Sequence, residues 1–159
     1  MWIGLTPANY LTMLKEEYSE YQRETLSRRK AINCCTFANA LPEIIFAHYG
    51  NSESAKVHNI KCPRAYRDYL RSQSEAHHTV RDLCDFSKHL KLDRKSVNAQ
   101  QIERTARKEG HFVGLLALTQ SKSVERLVVT FQNGATEIMD NILKDVLASW
   151  ETIFQRDRL

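Results

Sequence analysis

The sequence predicts a mainly α, α+β domain: a bundle of about five helices with a small antiparallel sheet, a hairpin over 111–132, before a C-terminal helix. Three observations carry this expectation. Five glycines and three prolines in 159 residues mark few turns, which disfavours a doubly wound α/β fold with its many loops. Apolar residues recur at steps of three and four over most of the chain, the spacing of a single buried helix face. The period then becomes strand-like in HFVGLLAL and ERLVVTF, residues 111–118 and 125–131. With 42% hydrophobic and 26% charged residues, the composition is that of one domain over 1–159, large enough to bury roughly 70% of the surface the unfolded chain exposes.

The elements follow in order. Thr6 can cap a helix and Pro7 is pre-set for the first helical turn, while Leu11, Leu14, Tyr18 and Tyr21 supply its apolar face, giving a first helix over about 7–26. Ser27 offers a second cap. From it run Ala31, Cys34, Ala38, Leu41 and Ile45, and Gly50 is expected to end this helix in the left-handed conformation. Pro42 is expected to kink or split it, because the ring clashes with the preceding turn and the nitrogen donates nothing. Small residues at 31, 34, 35, 38 and 40 predict close packing against a neighbouring helix. Residues 50–62 have no period and read as a loop, and Pro63 opens the next helix. Residues 64–92 are helical in propensity throughout, as two helices or as one with a break around Ser72 to Glu75. Residues 93–110 suit a helix by propensity and an edge strand by the alternation from Gln101 to Ala106, so both remain open. In the hairpin that follows, TQSKSV is the turn segment and Asn133-Gly134 closes the second strand. Ile138, Ile142, Val146, Trp150 and Ile153, broadened by Leu143 and Phe154, mark the last helix.

The first residues, MWIGLTPANY, contain no basic stretch leading into an apolar one, so no secretory signal is visible. The longest apolar run, Phe112 to Leu118, is seven residues, against about 20 for a membrane-spanning helix. A cytoplasmic protein with no membrane partner is expected. Cys34, Cys35, Cys62 and Cys84 form no C-x-x-C, which leaves neither a zinc spacing nor a redox motif. They are expected as reduced thiols, with Cys34 and Cys84 acting as small core residues. The excess of 23 basic over 19 acidic residues, +4, is too small for a dedicated nucleic-acid binder. It is also local: residues 64–95 hold eight Lys or Arg against five Asp or Glu, whereas residues 135–159 hold three against five.

Reactive side chains are densest in EAHHTVRDLCDFSKHLK, residues 75–91. On a helix, Val80, Leu83, Cys84, Ser87 and Leu90 share a side that is assigned to the core. His78, Asp82, Asp85 and His89 form a stripe on roughly the opposite side, with His77, Arg81 and Lys88 between. One reading is a solvated face with local pairs such as Arg81 with Asp85. A metal reading fails on distance for the two histidines, since His78 and His89 lie eleven residues and about 16 Å apart on an ideal helix. His78 with Asp82, or Asp85 with His89, could each give two ligands, but no second cluster supplies the rest, and no metal or other cofactor is assigned. A metal-independent nuclease is a further reading, because an Arg can hold a phosphate while a His moves a proton near neutral pH. The candidate catalytic residues are His89, Lys88, Arg81 and Asp85, and the candidate binding residues are His78 and Asp82.

RDLCDFSKHLKL, residues 81–92, resembles a segment, R-D-x-x-N-x-S-K-H, found in a family of small bacterial proteins of unestablished function. Arg81, Asp82, Ser87, Lys88 and His89 match it, as do Asn133-Gly134 and Trp150 farther on, while Asp85 replaces the usual Asn. The resemblance implies a helical bundle with a small sheet, similar to the HEPN class of small helical nucleases and toxins. That class carries an Arg and a His with four to six intervening residues on one helix. Here Arg71 precedes His77 and His78 at allowed spacings and Arg104 precedes His111, three matches where about 1.5 arise by chance from thirteen arginines and six histidines. Arg81 and His89, separated by seven, do not fit. Two functions are therefore expected to compete. One is a regulatory or interaction protein, set in phage defence or a toxin–antitoxin system, whose charged helix meets a protein partner or a second copy of the chain. The other is a metal-independent RNase, with His89 as general acid or base and Arg81 or Lys88 holding the phosphate of RNA.

Overall fold

The computed structural model describes residues 5–88, 99–110 and 121–159, with side chains over 5–85 and 125–159. Helices α1 (Pro7–Gln22), α2 (Arg28–Tyr49), α3 (Pro63–Gln73) and α4 (Glu75–Lys88) come first. Strands β1 (Ala99–Gly110), β2 (Ser121–Phe131) and β3 (Thr136–Ile138) follow, and α5 (Met139–Asp157) closes the chain. The mainly α fold with an antiparallel sheet before the last helix is thus the observed one.

Local signals account for the helix starts. The Thr6 side chain accepts a hydrogen bond from the Asn9 backbone N–H, Asn9 reaches back to the Thr6 N–H, and Pro7 occupies the first turn. Ser27 caps α2 by accepting from the Lys30 N–H. The first helix stops at Gln22 rather than near 26, because Glu24 and Ser27 donate to carbonyls three residues back in a pair of turns.

Helix α2 is the centre of the bundle and packs against α1, α3, α4 and α5. Its stripe Ala31, Cys34, Cys35, Ala38, Leu41 and Ile45 is at most 1% exposed, as small residues at a close helix–helix contact require. Pro42 neither ends nor splits this helix. The ring is itself buried in the centre of the bundle, and that packing offsets a hydrogen bond and a steric cost of about 3 kcal/mol. Gly50 is needed for a different reason than expected: its φ is −56°, not left-handed, but a Cβ there would stand 2.6 Å from the Phe46 carbonyl oxygen.

Helix α5 lays Ile142, Leu143, Val146, Trp150 and Ile153 against the core. It is held to α1 by Tyr18 donating to Asp140 Oδ1 at 2.9 Å and by Lys15 with Glu151 at 2.6 Å. In the loop between α2 and α3, His58 sits 3.1 Å from Asp157 at the end of α5.

The open choice for 93–110 is decided in favour of a strand from Ala99 onward. β1 pairs antiparallel with β2, Ile102 opposite Val129 and Gly110 opposite Ser121. The first strand of the hairpin is therefore Ala99–Gly110, and residues 121–124 of the expected turn belong to β2; the segment 111–118 lies outside the described residues. Hydrogen bonding along a partner strand outweighs the helical propensity of AQQIERTARKEG, a choice that local preference does not make. Gly134, at φ +80°, turns β2 into β3, where the Asn133 side chain accepts from the Ala135 N–H. Among the described residues no helix is long and apolar enough to cross a membrane.

Candidate functional site

Helix α3 carries Arg64, Arg67 and Arg71. Steps of three and four residues return a side chain to nearly the same face, so the three guanidinium groups form one stripe rising about 10 Å along the helix. Helix α4, which follows after a single residue, Ser74, adds Arg81 and Asp85. With Asp68 and Asn39 they line a groove of about 500 Å³. Among the described residues its lining has four guanidinium groups, two carboxylates and no apolar side chain.

Three of these arginines pair with carboxylates. Arg71 Nη1 is 3.2 Å from Asp68 Oδ1, and Arg81 Nε is 3.7 Å from Asp85 Oδ2. Arg67 pairs with Glu43, yet its Nε is buried without a hydrogen-bond partner. Arg64 is exposed. Carboxylate partners as exposed as Asp68 and Glu43, at 57% and 58%, contribute under about 1 kcal/mol each. An incoming anion can replace them at small cost.

Behind the groove lies a closed wall. Arg67 and Arg71 also border a void of about 10 Å³ with Leu70, His77 and Val80, room for one water at most. His77 is 6% exposed, its Nε2 is 2.9 Å from Ser149 Oγ, and its ring stands edge-on to Trp150 at 4.6 Å. Burial, and secondarily the cationic Arg71, lowers its pKa to about 4, which keeps it neutral at neutral pH. The Arg71–His77 spacing does bring the two side chains together, but within the core.

The expected solvated stripe on α4 needs correction. Asp82 is fully buried, with His78 Nδ1 3.5 Å from its Oδ2, and Thr79 is buried too. The reason is tertiary: α4 packs against α2, α3 and α5 and also against β1, so the side opposite Val80, Leu83 and Cys84 is covered as well. Arg81 with Asp85 is the part of the stripe's surroundings that faces the groove. Lys88 ends α4 and its side chain, like the whole of His89, lies outside the described residues, as do the side chain of Ser87 and residue Leu90. The structure therefore brings Arg81 and Asp85 to one groove, sends His78 and Asp82 elsewhere, and adds Arg64 and Arg67. The signal for those two was present as R-x-x-R-x-x-x-R directly after Pro63, a helical spacing inside a predicted helix.

A second groove, about 610 Å³, opens beside the start of α4. Glu75, Glu137 and Asp145 line it with Thr79, Phe131 and Ile142, and no cation does among the described residues. Among the described residues no group of three or more His, Cys, Asp or Glu is arranged to hold a metal. Cys34, Cys35 and Cys84 are buried, whereas Cys62 is exposed beside the first turn of α3. There the backbone N–H groups of Ala65 and Arg64 lower its thiol pKa.

With the geometry in view, comparison with known protein families, curated proteins and solved structures finds no match to this chain.

Proposed function

We propose that the protein is a regulatory or interaction protein that binds an anionic partner in the arginine groove between α3 and α4. The observation that supports this reading is the gathering of four guanidinium groups from two helices around one concavity, three of them paired with Glu43, Asp68 and Asp85 and the fourth, Arg64, exposed. Local charge of this kind is invisible in the net value of +4. A place in phage defence or a toxin–antitoxin system, where a cognate partner exists, fits it.

Retention on heparin at low salt tests the reading. The wild type should bind and elute with rising salt, and Arg64→Gln/Arg81→Gln should elute markedly earlier. A wild type that flows through, or a variant that elutes with it, overturns the proposal.

The RNase reading draws on one observation of its own, that Arg81 and Asp85 line the groove and His89 follows Asp85 by four residues in sequence. His77 does not support it, being enclosed and neutral. Incubation of RNA with the wild type and with His89→Ala decides: cleavage absent from both, or equal in both, removes the enzyme.

A further inference from the structure

We infer that the arginine groove is a site for a ligand presenting two linked phosphate groups, either a pyrophosphate-type small molecule or the backbone of a nucleic-acid strand. The inference rests on the groove being an anionic docking site and specifies the anion.

Three features of the lining favour phosphate. First, among the described residues every cation in it is an arginine and none is a lysine. The planar fork of a guanidinium donates two parallel hydrogen bonds to a pair of phosphate oxygens, which a lysine ammonium does not. Secondly, Arg64 is exposed and makes no ion pair among the described residues, so its guanidinium group is open to a ligand. Thirdly, among the described residues the lining contains no Leu, Phe, Tyr or Trp. Such a lining offers charge and hydrogen bonds rather than apolar contact, which suits an anion with many acceptor oxygens.

The carboxylates already present sharpen the choice. Asp68 and Asp85 hold Arg71 and Arg81 at 3.2 and 3.7 Å. A glutamate or aspartate from a protein would displace them with the same single charge and the same two oxygens, for little gain. A phosphate brings about −1 to −2 and more acceptor oxygens, so exchange of carboxylate for phosphate is favourable. Two phosphates suit the layout better than one. Arg64 and Arg71 are seven residues apart, about 10 Å along the axis, and Arg81 faces them from the neighbouring helix. One phosphate can satisfy one or two guanidinium forks, while a second, linked phosphate gives the remaining arginines acceptor oxygens of their own.

The test uses the full chain and three probes of like charge: inorganic pyrophosphate, a short single-stranded oligonucleotide, and polyglutamate. Titration by calorimetry or anisotropy should show pyrophosphate or the oligonucleotide binding at least about tenfold more tightly than polyglutamate. Binding by pyrophosphate identifies the small-ligand source. Binding by the oligonucleotide alone identifies the strand. Arg64→Gln/Arg81→Gln should weaken that binding about tenfold or more, and Asp68→Asn, which removes a competing carboxylate, should tighten it several-fold. The tightening cannot come from misfolding, so the pair of variants guards against a trivial loss. If polyglutamate binds as well, with the same dependence on the arginines, the phosphate assignment fails while the anionic groove stands. If no probe binds, both fail, and binding that neither variant alters overturns the site.

Discussion

Two pairs on the same helix, four residues long in each case, have opposite fates. Asp82, beside a His78 that is 25% exposed, is wholly shielded, while Asp85, beside an Arg81 that is 27% exposed, keeps 30% of its side chain exposed at the groove. In sequence the two look alike, each a basic residue and an aspartate one turn apart. The difference teaches that on α4 charge marks function only where another helix brings charge of the same kind. Asp82 is wholly shielded within the fold, whereas Arg81 lines the groove with the arginines of α3.

The contrast can be broken by deletion. Asp82→Ala should cost about 3 kcal/mol or more in urea unfolding, because a shielded carboxylate leaves its partners behind when removed. Asp85→Ala should cost less than about 1 kcal/mol, the worth of a half-exposed pair. Equal losses for the two would mean that the burial of Asp82 carries no energetic weight.

The second expected effect is on pH dependence. His77 has its folded pKa lowered to about 4 from 6.5, so the unfolded chain takes up a proton in this range that the folded chain refuses. Stability is then constant above about pH 6.5 and falls as the pH drops from 6.5 towards 4, by up to about 3 kcal/mol. In His77→Gln, where an amide can still meet Ser149, that part of the slope should vanish from denaturation midpoints measured at pH 4.5 and 7.5. An unchanged slope would show that His77 protonates freely in the fold and is not sealed behind the groove.

A smaller effect distinguishes the exposed start of α3 from the interior by thiol chemistry. Cys62 is exposed with a lowered pKa, whereas burial pushes Cys34 up to about 12 and Cys35 well above its ordinary value. Iodoacetamide at mildly alkaline pH should label Cys62 alone in the native protein, read by mass, and Cys34, Cys35 and Cys84 only in denaturant. Rapid labelling of a second thiol in the native state would contradict the packing of α2.

Much of the fold was legible because its signals are local. Thr6, Pro7, Ser27 and Pro63 mark helix starts by capping or by a fixed φ, and the apolar spacing of α2 and α5 picked out the residues that are buried. Pro42 misled because its cost is local while the compensation, burial inside the bundle, is not. The site was half legible. Arg81 and Asp85 were singled out, but the stripe of His78, Asp82, Asp85 and His89 was read as a single face, since a helical wheel knows the core side and not whether something covers the other. Arg64 and Arg67 were passed over because they carry no reactive group and gain meaning only beside Arg81.

By itself the sequence determined the order of the helices and the starts of α1, α2 and α3, the Asn133-Gly134 turn and the clustering of positive charge in 64–95, since each depends on neighbours within a turn or two of the chain. The tertiary structure alone decided that 99–110 is a strand, that Asp82 and His77 are shut inside, and that arginines seven to seventeen residues apart share one groove. Those outcomes depend on which surfaces meet, and desolvation and strand pairing, which set them, act between residues that the sequence holds far apart.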